Sequence, residues 1–208
     1  METARPSEWE WIAGHPALDF VNTVGGKRAV QPRESLHLVE DVLSWGRLSG
    51  VLSDAEARAL EREAAAHPAK ARAALARAVA FRESLYRLFL ALLEGAPAPG
   101  EEVARLEVEV RGALGARRLH CTREGSAWSA PAVALPDSVV PRLALAAAEL
   151  LTGEQWKRVR VCEATLADGC GWLFLDQTRN HSRRWCDMAV CGNKHKARRH
   201  YARVRGQA

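Results

Sequence analysis

Apolar positions recur at helical spacing through most of the chain, and each run ends at a glycine or proline. Leu36, Val39, Leu43 and Leu48 predict a helix within 35–50 that Gly50 stops. Ser53-Asp54-Ala55-Glu56 has the form of a capping box, in which serine and glutamate each satisfy the other's backbone N–H, and it predicts a helix to about Ala66. His67-Pro68 interrupts the pattern. From Ala69 a long Ala/Arg-rich helix directs Leu75, Val79, Leu85, Leu88, Phe89 and Leu92 inward and ends at Glu94-Gly95. Its arginines lie among Glu83 and alanines on the other faces and read as a solvated surface. Glu101 to Arg111 predicts one more helix of about three turns.

The period then shortens. Arg117–Cys121 and Ala127–Ser129 flank Glu124-Gly125, which predicts a hairpin with Trp128 on its inner face. Cys121 stands alone there and reads as a small buried hydrophobe. Asp137 opens an apolar helix through Leu151 that Thr152-Gly153 closes, giving a domain over 1–153 and a second module over 154–208. At the other end, Pro16 suits the first turn of a short helix ended by Gly25-Gly26, with Leu18, Phe20, Val21 and Val24 toward a core. Asp19 and Asn22 share a face of it. With His15 they are candidate ligand-sensing residues. The stronger reading is that they bond neighbouring backbone, as buried polar groups ordinarily do.

Charge changes the picture of the tail. Residues 157–208 hold 12 Lys/Arg against 4 Asp/Glu, a net +8, whereas the preceding 156 residues hold 18 against 21, a net −3. A cationic module on a mildly acidic body is the arrangement expected of a polyanion binder. No apolar run approaches the roughly 20 residues of a membrane span. The start, with Glu8-Trp9-Glu10-Trp11, lacks the pattern of a secretory signal, so a cytoplasmic location is expected. Stable disulfides are rare there, and clustered thiols read instead as metal ligands.

Four of the five cysteines fall in the tail with the spacing C-x7-C-x15-C-x4-C: Cys162, Cys170, Cys186 and Cys191. Four soft ligands in two pairs suit one structural zinc, and Asp168-Gly169 supplies a turn before the second sulfur. His181 and His195 stand near enough to replace Cys162 should it not be a ligand. Val159-Arg160-Val161 and Leu173-Phe174-Leu175 are suited to a two-stranded ribbon, with Trp172, Phe174 and Trp185 as a miniature core. So small a module needs its metal to fold. Asn193 reads as the N-cap of a helix from Lys194 to about Arg205. In it Ala197, Tyr201 and Val204 would face the knuckle, while His195, Lys196, Arg199 and Arg203 lie opposite and Lys194, Arg198 and Arg205 line a flank. No carboxylate follows Asp187, so the usual i,i+4 pairing of a solvated helix is absent and phosphate contact is favoured.

Cys170-Gly171-Trp172-Leu173-Phe174-Leu175-Asp176, Arg183-Arg184-Trp185-Cys186 and Cys191-Gly192-Asn193-Lys194 together closely resemble the CGNR-type zinc finger. Ala17–Thr23 and Trp45–Leu52 resemble the ABATE domain that precedes this finger in bacterial proteins. The resemblance spans nearly the whole chain. It implies a stress-related transcription regulator, a zinc site on the four tail cysteines, and DNA binding by the finger. The expected fold is mainly α: a multi-helix N-terminal domain with a small β-hairpin, then a small treble-clef-like ββα zinc finger. Candidate nucleic-acid contacts are Arg183, Arg184, Lys194, Lys196, Arg198, Arg199, Arg203 and Arg205, with DNA favoured over RNA. The motif's final arginine is lysine here, which keeps the charge but loses the bidentate fork, so phosphate anchoring fits Lys194 better than base reading. The helical body is expected to sense a small-molecule effector or to form a homodimer. A structural or redox role for the zinc module is the alternative. Catalysis is not expected, because four thiolates close the metal shell and no catalytic motif is present.

Overall fold

The computed structural model describes residues 9–28, 30–129, 134–135 and 139–205. It divides into two compact units, Leu36–Gly153 and the described residues of Met1–Ser35 together with Glu154–Ala208. The N-terminal segment, expected within the helical domain, is thus part of the finger's unit.

The unit Leu36–Gly153 is a helical assembly. Its first two helices are Val39–Leu48 and Asp54–Ala66, which we number α2 and α3 after the N-terminal helix α1, Pro16–Val21. The capping box forms: Ser53 Oγ accepts from Glu56 N–H and Glu56 accepts from Ser53 N–H at 2.8 Å. Then come α4 (Pro68–Leu93), α5 (Gly100–Gly115) and α6 (Val140–Thr152). Helix α4 packs on α2, α3, α5 and α6, so it is the centre of this unit, and Phe81, Leu85, Leu88 and Phe89 are its buried stripe. Trp45 and Leu43 of α2, Leu60 of α3, and Leu143 and Ala147 of α6 complete the core. Gly46 permits the close approach there, since a Cβ would lie 3.0 Å from Leu52 and 3.2 Å from Val139. Arg142 of α6 ties the start of α3 by pairing with Glu56 and donating to Val51 O at 2.6 Å.

Several expectations for this unit are corrected. Leu75, Val79 and Leu92 are only half-buried, because the stripe of α4 begins with the small Ala74 and Ala78. Leu48 is 58% exposed at the end of α2. Arg82 is buried rather than solvated, and its guanidinium pairs with Glu83. Helix α5 continues past Arg111 to Gly115. The hairpin forms as β3 (Arg118–Thr122) and β4 (Gly125–Ser129), but Trp128 opposite Leu119 is 63% exposed and Cys121 is exposed too. Among the described residues both strands are exposed, so the hairpin buries no inner face. The expected helix start at Asp137 lies outside the described residues.

The second unit holds α1, an antiparallel pair β1 (Gly25–Lys27) and β2 (Gln31–Arg33), and the finger. Helix α1 ends at Val21, so Gly25-Gly26 belong to β1 rather than to a helix terminus. In the finger, β5 (Val159–Val161) pairs with β6 (Leu173–Leu175) as the sequence led us to expect. A short helix α7 (Ala164–Asp168) lies between them, and a π-helical turn, Met188–Gly192, runs into α8, Asn193–Arg205. No helix is long and apolar enough to cross a membrane among the described residues.

Candidate metal centre

Each cysteine is delivered by a local device the sequence encodes. Cys162 follows β5, and its N–H donates to Trp172 O at 2.9 Å, which continues the ribbon by one bond. The seven residues to Cys170 are taken up by α7. Thr165 pins that turn at both ends: its hydroxyl donates to Cys162 O at 2.6 Å and accepts from Gly171 N–H at 3.0 Å. Gly169 caps α7 in the left-handed region, φ +71°, and turns the chain so that Cys170 faces Cys162.

The loop from β6 to Cys186 is held by Asp176, which is fully buried. Its carboxylate accepts from Thr178 N–H, Thr178 Oγ1 and Arg183 N–H at 3.0, 2.6 and 2.9 Å. Burial pushes this carboxyl up, yet the bonds from Thr178 and Arg183 outweigh it and hold the group below the usual range. Asp187 then caps the π-helical turn by accepting from Val190 N–H at 2.9 Å. That turn brings Cys191 back beside Cys186.

The four sulfurs lie within 4.8 Å of one another and all four residues are buried. The sulfur–sulfur separations Cys170–Cys186, Cys186–Cys191 and Cys170–Cys191 are 3.6, 3.7 and 3.7 Å. A tetrahedron with metal–sulfur bonds of ~2.3 Å has edges of about 3.8 Å. The cluster therefore fits one zinc ion with a closed four-sulfur shell. Its electrostatics agree. Hydrogen bonds from the Cys170 and Cys186 thiols hold Cys162 well below the usual thiol range. Hydrogen bonding to Cys162 pushes Cys170 and Cys186 up, and burial pushes Cys191 up. Four such sulfurs oppose one another's ionisation, and a central dication supplies the charge that makes all four thiolates. His181 and His195 are outside the ligand set; His195 packs against Trp185 with ring centroids 5.5 Å apart.

The candidate ligand-sensing residues each bond to backbone. His15 caps α1, accepting from Ala17 N–H at 3.3 Å. Asp19 accepts from Ala13 N–H at 2.9 Å. Asn22 donates to Leu173 O at 2.7 Å and accepts from Leu173 N–H at 3.1 Å, occupying the free edge of β6 as a neighbouring strand would. Leu175 N–H donates to Ala13 O and Trp172 Nε1 to Val24 O. The N-terminal segment is the second wall of the finger's core. Trp172 and Phe174 are buried, as befits that core, and Trp185 is half-buried.

The cations separate into two groups. Arg183 serves the fold: it donates to the carbonyls of Ile12, Trp185 and Cys186, and its guanidinium lies 4.5 Å above the Phe174 ring. Arg184 pairs with Glu163, and Arg198 pairs with Asp168 at 2.6 Å. Lys194, Lys196, Arg199, Arg203 and Arg205 are exposed on α8 and have no ion pair among the described residues.

Two expectations about α8 are corrected. Asn193 has helical backbone angles and is not the cap; Asp187 caps the continuous π–α segment six residues earlier. Tyr201 and Val204 do not pack on the knuckle but are 65% and 53% exposed. Asp187 carried the missed signal, an acid just before a helical run.

Two family models match the chain. The CGNR zinc finger matches residues 158–204. The ABATE model, described as "Putative stress-induced transcription regulator", matches residues 14–154. No curated protein matches it.

Proposed function

We infer that this chain, which belongs to the ABATE family and ends in a CGNR zinc finger, is a transcription regulator that grips DNA through α8. The observation that carries this reading is the helix itself. Its 13 residues include none that is buried, five of its six Lys/Arg are without an ion pair among the described residues, and no carboxylate follows Asp187. A helix that buries nothing gains little from its own protein, so its apolar Tyr201 and Val204 and its charges are available to a partner. A polyanion satisfies both.

Zinc has a structural part in this reading. It fixes the knuckle from which α8 projects, and its closed shell leaves no position for a substrate. Lys196, Arg199, Arg203 and Arg205 are the phosphate contacts we propose. Arg184 and Arg198 would have to exchange Glu163 and Asp168 for phosphates to join them. The regulator would act in the cytoplasm. A single finger offers little interface, so a homodimer supplies the second half-site.

Tyr201 favours a second reading, because an exposed aromatic among cations also suits stacking on single-stranded RNA. Selection of bound sequences from a random DNA pool, with zinc-loaded and chelator-treated protein, tests the first reading. Enrichment of a motif by the zinc form alone is expected. Binding only to single-stranded RNA in direct competition would replace it by the second.

A further inference from the structure

A cleft of about 280 Å³ opens beside the four-sulfur cluster, within the finger's own unit. Cys170, Cys186 and Cys191 form part of its wall, and two lysines from distant parts of the sequence, Lys27 and Lys194, line it with them. Both are placed by ties to the ligand loops. Lys27 ends β1, and the next residue, Arg28, donates its N–H to Cys170 O at 3.1 Å. Lys194 stands three residues after Cys191, in the first turn of α8.

The remaining charges in this cleft are negative. Glu10, Asp168 and Asp187 also line it. Asp187 is committed to capping Val190 N–H, and Asp168 to Arg198. Zinc with four thiolates adds a centre of net charge −2. A phosphate entering here would meet that dianion and the carboxylates, so the cleft repels the ligand that α8 attracts. The same field draws lysine ammonium groups toward the sulfurs.

We infer that Lys27 and Lys194 are the charge-compensating cations of the zinc–thiolate centre, and that Lys194 serves the metal rather than nucleic acid. This gives the last residue of the Cys191-Gly192-Asn193-Lys194 motif a reason to be cationic that does not involve base or phosphate reading. It also makes the N-terminal segment an electrostatic partner of the metal as well as the wall behind β6. A lysine suffices for this task, because a point charge near a dianion needs no bidentate fork.

The test is zinc transfer from the full-length, zinc-loaded protein to a chromogenic chelator, followed by absorbance. Lys27→Met and Lys194→Met are each expected to speed transfer on the order of three- to tenfold, and the double variant more. Added salt should narrow the difference by screening the lysines. Lys194→Arg should transfer within about twofold of the parent, and Arg179→Met, which removes an exposed cation of the finger that does not line the cleft, should leave zinc transfer unchanged. Parent-like transfer by both Lys→Met variants overturns the inference, as does equal acceleration by Arg179→Met. If Lys194→Met fails to load zinc, Lys194→Arg decides: loading restores the charge requirement, and failure overturns it. DNA affinity at matched zinc content is the second readout. A loss of DNA binding by Lys194→Met with unchanged zinc transfer assigns Lys194 to phosphate and also overturns the inference.

Discussion

The side-chain amide of Asn22 is hydrogen-bonded in both directions to the backbone of Leu173, 151 residues away in sequence. Leu173 opens β6, three residues after the ligand Cys170. One carboxamide thereby closes an edge of the two-stranded ribbon that would otherwise be open. Removing it leaves a buried N–H and a buried C=O without partners. Asn22→Ala is expected to lower the stability of the zinc-loaded protein by about 2–3 kcal/mol in chemical denaturation, with zinc stoichiometry retained.

Gly169 occupies the left-handed region just before Cys170, and a Cβ there would stand 2.5 Å from Val30 Cγ2. Gly169→Ala should cost about 1–2 kcal/mol and accelerate zinc loss to a chelator. Gly112 provides the contrast. It lies inside α5, with nothing near a Cβ, and Gly112→Ala should raise stability by about 0.5–1 kcal/mol.

Asp19 gives the folded state a pH dependence opposite to that of a salt-bridged carboxylate. Burial raises its pKa from 3.8 to about 6, against the opposing bonds from Ala13 and Ile12. Between those values the folded state binds the proton more tightly than the unfolded chain. The group's contribution is therefore present at low pH and is lost as pH rises from about 4 to 6. Roughly two units correspond to about 3 kcal/mol, which solvent access reduces to about 1–2. Denaturation of the parent and of Asp19→Asn across this range should differ by that amount, with the variant showing the flatter profile.

Zinc removal should act on the finger's unit first. Cys186→Ser is expected to abolish stoichiometric zinc and to expose Trp172 and Trp185, read as a red shift in tryptophan emission. The α-helical circular dichroism from Leu36–Gly153 should persist, because that unit has its own core around α4.

Four phosphate contacts from α8 set a salt dependence for DNA binding. The slope of log affinity against log salt should approach about −3.6, and each of Lys196→Ala, Arg199→Ala, Arg203→Ala and Arg205→Ala should reduce it by about 0.9. Arg199→Glu with Arg203→Glu should abolish binding while zinc content stays at that of the parent. Arg183→Ala should instead unfold the finger, since its donors hold the carbonyls of Ile12, Trp185 and Cys186.

What the sequence by itself determined was local. The capping box at Ser53–Glu56, the Gly50 stop, the β5–β6 ribbon and the turn at Gly169 each depend on a few adjacent residues, and each is present. The cysteine spacing and the motif around it identified the zinc ligands, because metal geometry restricts which loops can deliver two sulfurs. Tertiary structure decided what each helical face meets. Trp128 and Tyr201 have core-type chemistry but are exposed, and Arg82 is charged but buried, since periodicity does not say whether a second layer covers a face. It also decided that the N-terminal residues belong with the finger. No pattern within Ala17–Thr23 announces a partner 151 positions later; only the open edge of β6, which must bond to something, selects Asn22.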